Sequence, residues 1–298
     1  MRSNTLTLTI VLTIGILSVS TAAILIRLAT TVSGVSGVGF SLVLAASRLS
    51  IAALVLVPTW RSFQAASPNA TKFAIGAGVS LAIHFAAWIS SLSYTSITAS
   101  TTLVTTNPLW VALISWIWLR EKPTRATFWG IGIAMIGGVL IGFDQASRDG
   151  VNPLLGNGLA IVGAWAASFY LLLGREAQRQ GLNVKSYVTI AYSVAAIVLF
   201  PLPFLFGSSY IGYPILTYVY IALMAVFPQL IGHTSFNWAM RHLPPTIVTL
   251  IILLEPVGST IFAIALFQEI PGMQVIAGAL VLLTGVAIAI LGNSAKVS

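Results

Sequence analysis

Two charges sit where charges are expensive. Glu255 is an acid deep inside a long apolar stretch, and Arg48 is a base at a similar depth in another. Placing either at a bilayer centre costs about 2.5–3.5 kcal/mol on insertion scales, so each must face a cavity or a partner. Two chemistries follow for Glu255. It binds a solute ammonium or a proton, or it serves as a structural counter-ion to Arg48, the reading placed first on sequence grounds. His84 and Trp88 stand one helical turn apart on one face. An imidazole at that depth can donate to a carboxylate, stack on an aromatic solute or titrate near neutrality, and it can equally close an interhelical hydrogen bond. His233, Asn237 and Arg241 continue a second row at the same spacing, which reads as an inner gate or a packing stripe. The histidines lie in separate segments or near charged ends without acidic company, so no metal site is expected.

Asn107 and Glu255 each precede a proline, and the two contexts repeat. T-T-N-P-L-W at Thr105–Trp110 returns 148 residues later as L-L-E-P-V-G at Leu253–Gly258. The same offset pairs Thr98 with Thr246, Thr101 with Thr249, Glu121 with Glu269, Pro123 with Pro271, Gly130 with Gly278 and Gly137 with Gly285. Pro108 and Pro256 would each remove a backbone donor near mid-membrane and free a carbonyl one turn back. Such backbone is tolerable only against protein or a water-filled cavity. The dyad-related places differ in chemistry, a neutral amide in one copy and a carboxylate in the other.

The tryptophans divide by depth. Trp60, Trp116, Trp118 and Trp129 fall towards segment ends and suit interfacial belts. Trp88, Trp110 and Trp165 are deep enough to line a cavity, where ring faces supply apolar area and stacking. Tyr94 would shape a mouth.

The elements that must hold these residues follow from composition. Of 298 residues 57% are hydrophobic and 7% charged, and the mean hydropathy is +0.98. So few charges cannot cover a water-soluble domain of this length, so the solvent is lipid. The basic residues are scattered singly rather than in a stripe with aromatics, which argues against nucleic acid. With no cysteine, disulfides, thiolate metal sites and thiol catalysis are excluded.

Ten apolar segments of spanning length are predicted near 6–29, 38–58, 72–93, 97–119, 126–143, 155–174, 186–206, 214–240, 246–267 and 273–291. The first lacks a small-residue cleavage site and is expected to remain uncleaved. With the N-terminus inside, eleven Lys and Arg, among them Arg2, Arg61, Lys122, Lys185, Arg241 and Lys296, fall on the cytoplasmic side. Arg148 is alone in an external loop, with Arg27 near the outer end of the first segment. That asymmetry predicts cytoplasmic termini. Five segments per copy make the second copy enter the membrane inverted, giving repeats over 1–150 and 151–298. Inverted repeats are a known architecture of secondary transporters, with solute bound near the midplane between them. In the fifth segment Gly130, Ala134, Gly138 and Gly142 recur every fourth residue as a seam for close packing.

The stretch P-L-W-V-A-L-I-S-W-I-W-L-R-E-K-P followed by G-I-G-I-A-M-I-G-G-V-L resembles the drug/metabolite transporter superfamily. Its second copy, L-L-E-P-V-G-S-T-I-F-A-I-A-L-F-Q-E followed by G-A-L-V-L-L-T-G-V, resembles the ten-helix EamA-type branch, over essentially the whole chain. The resemblance implies an all-α integral membrane protein exporting small metabolites across the bacterial inner membrane. Its nearest variety is the YddG-type exporters of aromatic amino acids. Segments 1–4 and 6–9 would then surround the cavity. The cavity candidates are His84, Trp88, Asn107, Trp110, Trp165 and Glu255, and the gating or structural candidates Arg48, Pro108, Pro256, His233 and Asn237. No G-x-x-x-x-G-K precedes Ser or Thr, so energy is expected from a solute gradient or coupled protons. No cofactor is expected, and a monomer or weak dimer in the bilayer is. Multidrug, nucleotide-sugar or other metabolite carriage is the alternative. An intramembrane enzyme or a channel is the reading from another class, and no G-x-S-x-G or zincin motif supports the enzyme.

Overall fold

The computed structural model describes residues 5–62, 67–95, 100, 103–118, 120, 122–142, 152–267 and 272–294. Thr98, Thr101, Glu121, Arg148, Glu269 and Pro271 lie outside the described residues, as do Arg2, Lys296 and the side chain of Trp60. Every regular element among those described is helical. Counted across their kinks, seven helices are long and apolar enough to cross a membrane: Thr5–Ser33, Val38–Thr59, Pro68–Ser91, Pro153–Arg179, Val184–Leu205, Ile215–Ala239 and Pro245–Leu266. Arg125–Leu140 and Ile276–Ala289 are shorter apolar helices. The predicted fourth segment is described from residue 103 onwards. Large apolar side chains such as Ile197, Leu54 and Phe128 stand exposed on the outer faces, as lipid demands and water would not tolerate.

Local sequence starts the helices where the chain requires it. α3 (Val38–Leu56) follows Gly37, and α4 (Pro68–Ser91) and α7 (Pro153–Arg179) open on an Asx or Ser cap followed by proline. Ser67 accepts from the Ala70 N–H at 3.1 Å and Asn152 from that of Leu155 at 3.2 Å. Proline fits the first turn because its missing donor would have had no helical acceptor there.

Four spans are interrupted. The first divides into α1 (Thr5–Ser20) and α2 (Ala22–Ser33), with the Thr21 hydroxyl donating to the Ser18 carbonyl at 2.7 Å. α5 (Asn107–Trp118) begins after a turn at 105–106. α12 (Pro245–Ile252) and α13 (Glu255–Phe267) are separated by a turn at 253–254, 148 residues later. Pro108 and Pro256 therefore open new helices at the second position rather than kinking continuous ones, a correction to the mid-helix reading. The remaining interruption lies between α10 (Ile215–Met224) and α11 (Thr234–Ala239), where Ala225–His233 forms a π-helix around Pro228. Proline removes a ladder donor, and a wider turn accommodates the loss.

α4 packs on α7 and on α8 (Val184–Leu199), forming one side of the bundle. α1 lies along the π segment, where Gly15 and Gly232 allow the approach; a Cβ on Gly232 would sit 2.6 Å from Val19 Cγ1. α6 (Arg125–Gly142) and α14 (Met273–Ser294) form a separate tight pair. There Gly130 faces the Gly285 carbonyl and Gly137 faces that of Gly278, so each glycine meets the repeat counterpart of the other. The seam runs through Gly130, Ala134 and Gly137. A Cβ at Gly138 would meet nothing within 4 Å, so the predicted every-fourth-residue seam shifts by one residue there.

Candidate functional site

The breaks converge on one cavity. Arg48 of α3, His84 and Trp88 of α4, Asn107 at the start of α5, Tyr170 of α7, His233 of the π segment and Glu255 at the start of α13 all line it. Val19 and Ala22, either side of the break in the first span, complete its floor. Its volume is about 50 Å³, space for about three waters and too little for an amino acid in this conformation.

Arg48 is fully buried. Its Nη2 donates to Gln229 Oε1 at 2.9 Å, and its guanidinium carbon lies 4.2 Å from the centroid of the Phe85 ring. That cation–π contact offsets part of the burial cost, by about 0.5–2 kcal/mol. Its Nε and Nη1 have no hydrogen-bond partner among the described residues. Arg48 and Glu255 form no ion pair among those residues, so the direct counter-ion expected from sequence is replaced by two charges facing a shared space. The Glu255 carbonyl accepts from the Ser20 hydroxyl at 3.3 Å, and Ser259 donates to the Ser20 carbonyl at 2.9 Å. These bonds tie the break in the first span to the start of α13.

His84 Nδ1 lies 2.9 Å from the Gly163 carbonyl. A carbonyl can only accept, so Nδ1 carries a proton, and in the neutral ring Nε2 is left as an acceptor. The His84 ring stacks on Trp88 at 5.8 Å and 15°. Gly163 makes this possible, because a Cβ there would come within 3.3 Å of Trp88 Cβ. Trp88 is also a wall of a second cavity of about 170 Å³, lined by Ile26, Arg27, Thr30, Thr31 and Leu92. One indole thus divides the two spaces. Trp88 Nε1 and Asn107 Oδ1 are buried without partners among the described residues, as is Gln229 Nε2 behind Arg48.

The remaining candidates fall elsewhere. Trp110 and Trp165 form an edge-to-face pair at 5.2 Å and do not line the central cavity. Trp165 is exposed, and the Trp110 indole donates to Thr106 at 3.1 Å. Depth placed them correctly along the helix but carried no information on which way they face. His233 and Asn237 separate: the π turn carries His233 to the cavity, 5.5 Å from the Phe85 ring. Asn237 is fully buried packing, with its Nδ2 donating to the Tyr170 hydroxyl and to the His233 carbonyl. Sequence reading passed over Gln229, Tyr170 and Phe85. A lone amide beside a proline in an apolar span was the signal for Gln229; the rings carried none.

The sequence model of the EamA-like transporter family matches residues 7–143 and again 154–291. The chain is similar to the uncharacterized transporter YyaM of Bacillus subtilis (strain 168), 30% identical over 200 residues, 64% of this chain and 64% of that protein. It is similar to the uncharacterized transporter YetK of the same organism, 26% identical over 186 residues, 60% of this chain and 55% of that protein. The matched region spans less than two thirds of the length of either relative. A solved structure at 18% identity superposes with a TM-score of 0.78 over 99% of this chain and 100% of that one, a likeness of fold.

Proposed function

The chain belongs to the EamA-like transporter family, within the drug/metabolite transporter superfamily, and on that premise we propose that it exports amino acids, aromatic ones included, across the bacterial inner membrane. The family consists of transporters rather than enzymes, and the apolar helices make this chain a multi-pass membrane protein. The observation that carries the amino-acid reading is the set of unpartnered polar atoms around the central cavity. Buried polar groups are almost always paired, and each exception needs a reason. Arg48 offers two free donors to a carboxylate, while Glu255 and Asn107 Oδ1 offer acceptors to an ammonium. The stacked His84 and Trp88 rings supply a flat wall for an apolar or aromatic side chain.

Transport proceeds by alternating access. The cavity is closed around a few waters, so a solute enters only when helices move. The turns at 105–106 and 253–254 are the places where backbone can yield without breaking a continuous helix. Ten spans in two inverted halves are supported by the double family match and by the reciprocal glycine contacts of α6 and α14. Efflux from proteoliposomes loaded with mixed amino acids tests the substrate. Retention of every amino acid, with a second solute class released, would sink it.

Orientation is tested with single cysteines in this Cys-free chain. Cysteine at Lys122 or Lys185 should resist an impermeant reagent added outside, and cysteine at Ser209 should react. The opposite pattern reverses the topology.

The tryptophans should separate by position. Trp88→Ala should lower efflux of aromatic amino acids by about 2- to 10-fold, the worth of one stacking contact. Trp110→Ala and Trp165→Ala should stay near wild type when normalised to protein yield. Equal losses in all three would return the pair to the solute path.

A further inference from the structure

A second polar cavity, of about 560 Å³, opens where α7 ends. Arg175, Gln178 and Arg179 line it from one face of that helix, and Arg241 and His242 face them from the connection between α11 and α12. Both walls are held. The Arg241 N–H donates to the Trp238 carbonyl at 3.1 Å and the His242 N–H to that of Ala239 at 2.9 Å. The Gln178 amide donates to the Asn237 carbonyl at 3.1 Å, tying α7 to α11. Its Oε1 is buried without a partner among the described residues. The charges are three guanidinium groups and an imidazole. Among the described residues the acid beside them is Glu176, 3.9 Å from Arg179 and already accepting from Gln180. Partial burial and the nearby Arg241 hold His242 below the ordinary histidine value, as expected where positive charge outweighs negative.

We propose that this cavity binds a phosphate group through Arg175, Arg179 and Arg241. Guanidinium forks match phosphate oxygens two at a time, with geometry that ammonium groups do not reproduce. The cavity lies at the end of a spanning helix, level with the headgroups of the surrounding leaflet. The phosphate therefore comes from an anionic phospholipid headgroup or from a free phosphate in solution. Basic pockets between helix ends are suited to the former. The site is separate from the central cavity, and its occupancy is read without measuring flux.

The test uses purified full-length protein in non-ionic detergent, with thermal unfolding and native mass spectrometry as readouts. It is titrated with short-chain phosphatidylglycerol, with inorganic phosphate, and with phosphatidylcholine as a zwitterionic control. Saturable stabilisation by phosphatidylglycerol alone identifies the headgroup; saturation by inorganic phosphate identifies the free anion. In Arg175→Gln/Arg241→Gln protein the affinity should fall by about tenfold or more. Arg241→Gln alone, on the exposed connection, should shift it in the same direction and serves if the double variant does not fold. Arg125→Gln, elsewhere on the chain, should leave it unchanged. No saturable response to either phosphate source, or an equal loss in Arg125→Gln, overturns the proposal.

Discussion

Arg48→Met protein in proteoliposomes should export amino acids roughly 10- to 100-fold more slowly than wild type, the loss of one or two charge-assisted hydrogen bonds to a carboxylate. It should nevertheless fold. Methionine keeps an apolar contact with Phe85 and removes two buried donors that have no partner among the described residues. Replacing a buried charge by an apolar side chain of similar shape is often neutral or stabilising. Glu255→Gln should also fold, because no ion pair with Arg48 is broken and Arg48 keeps its bond to Gln229. If Glu255 couples protons, this variant exchanges solute across the membrane but loses net movement driven by a pH gradient. A structural counter-ion behaves differently: Glu255→Gln would lose about 3–5 kcal/mol of stability, and adding Arg48→Met would restore part of it. Melting temperature and pH-driven flux of the two single variants and the double decide between these outcomes. Wild-type flux in Arg48→Met would remove Arg48 from the solute site.

Alanine at Gly137 or Gly285 should lower the melting temperature sharply, and alanine at Gly138 should not. A methyl at Gly137 would lie 2.6 Å from the Gly278 carbonyl oxygen, and one at Gly285 would lie 2.7 Å from that of Gly130. The obstructing atoms are backbone, so two whole helices must part, at a cost of about 1–3 kcal/mol per site. Gly138 has open space at the same position and serves as the internal control. Equal melting of Gly137→Ala and Gly138→Ala would show that the α6–α14 contact is looser than described.

What the sequence made legible was depth. Hydropathy located lipid-spanning segments, and Asn107–Pro108 and Glu255–Pro256 marked the two places where helices restart. Arg48, His84, Trp88 and Asn107 were found because a polar or bulky group at mid-membrane is conspicuous. Direction around the helix was not legible, since a span that is apolar on every side has no stripe to orient it. Trp110 and Trp165 were misplaced for that reason. His233 was misplaced for another: it sits at the end of a nine-residue π segment, and the wider turn changes the phase of everything after Pro228. The break at Thr21 carries neither proline nor glycine and depends on packing against Ser259 and Glu255.

The π segment has no partner in the first half. Its counterpart there, residues 77–85, runs inside the uninterrupted α4. In a carrier of two inverted halves, the inward-facing and outward-facing states exchange the roles of those halves. Identical halves would make the two states equal in energy by symmetry. Here one half holds the wider turn and the carboxylate, and the other holds neither, so the resting equilibrium is lopsided by construction. Such a bias cannot move a passive solute uphill, because the protein does not alter the equilibrium between the two compartments. It appears instead as unequal half-saturation on the two faces, offset by unequal return rates. A turn of backbone thereby sets the side on which the carrier waits, while the gradient alone decides which way the cargo goes.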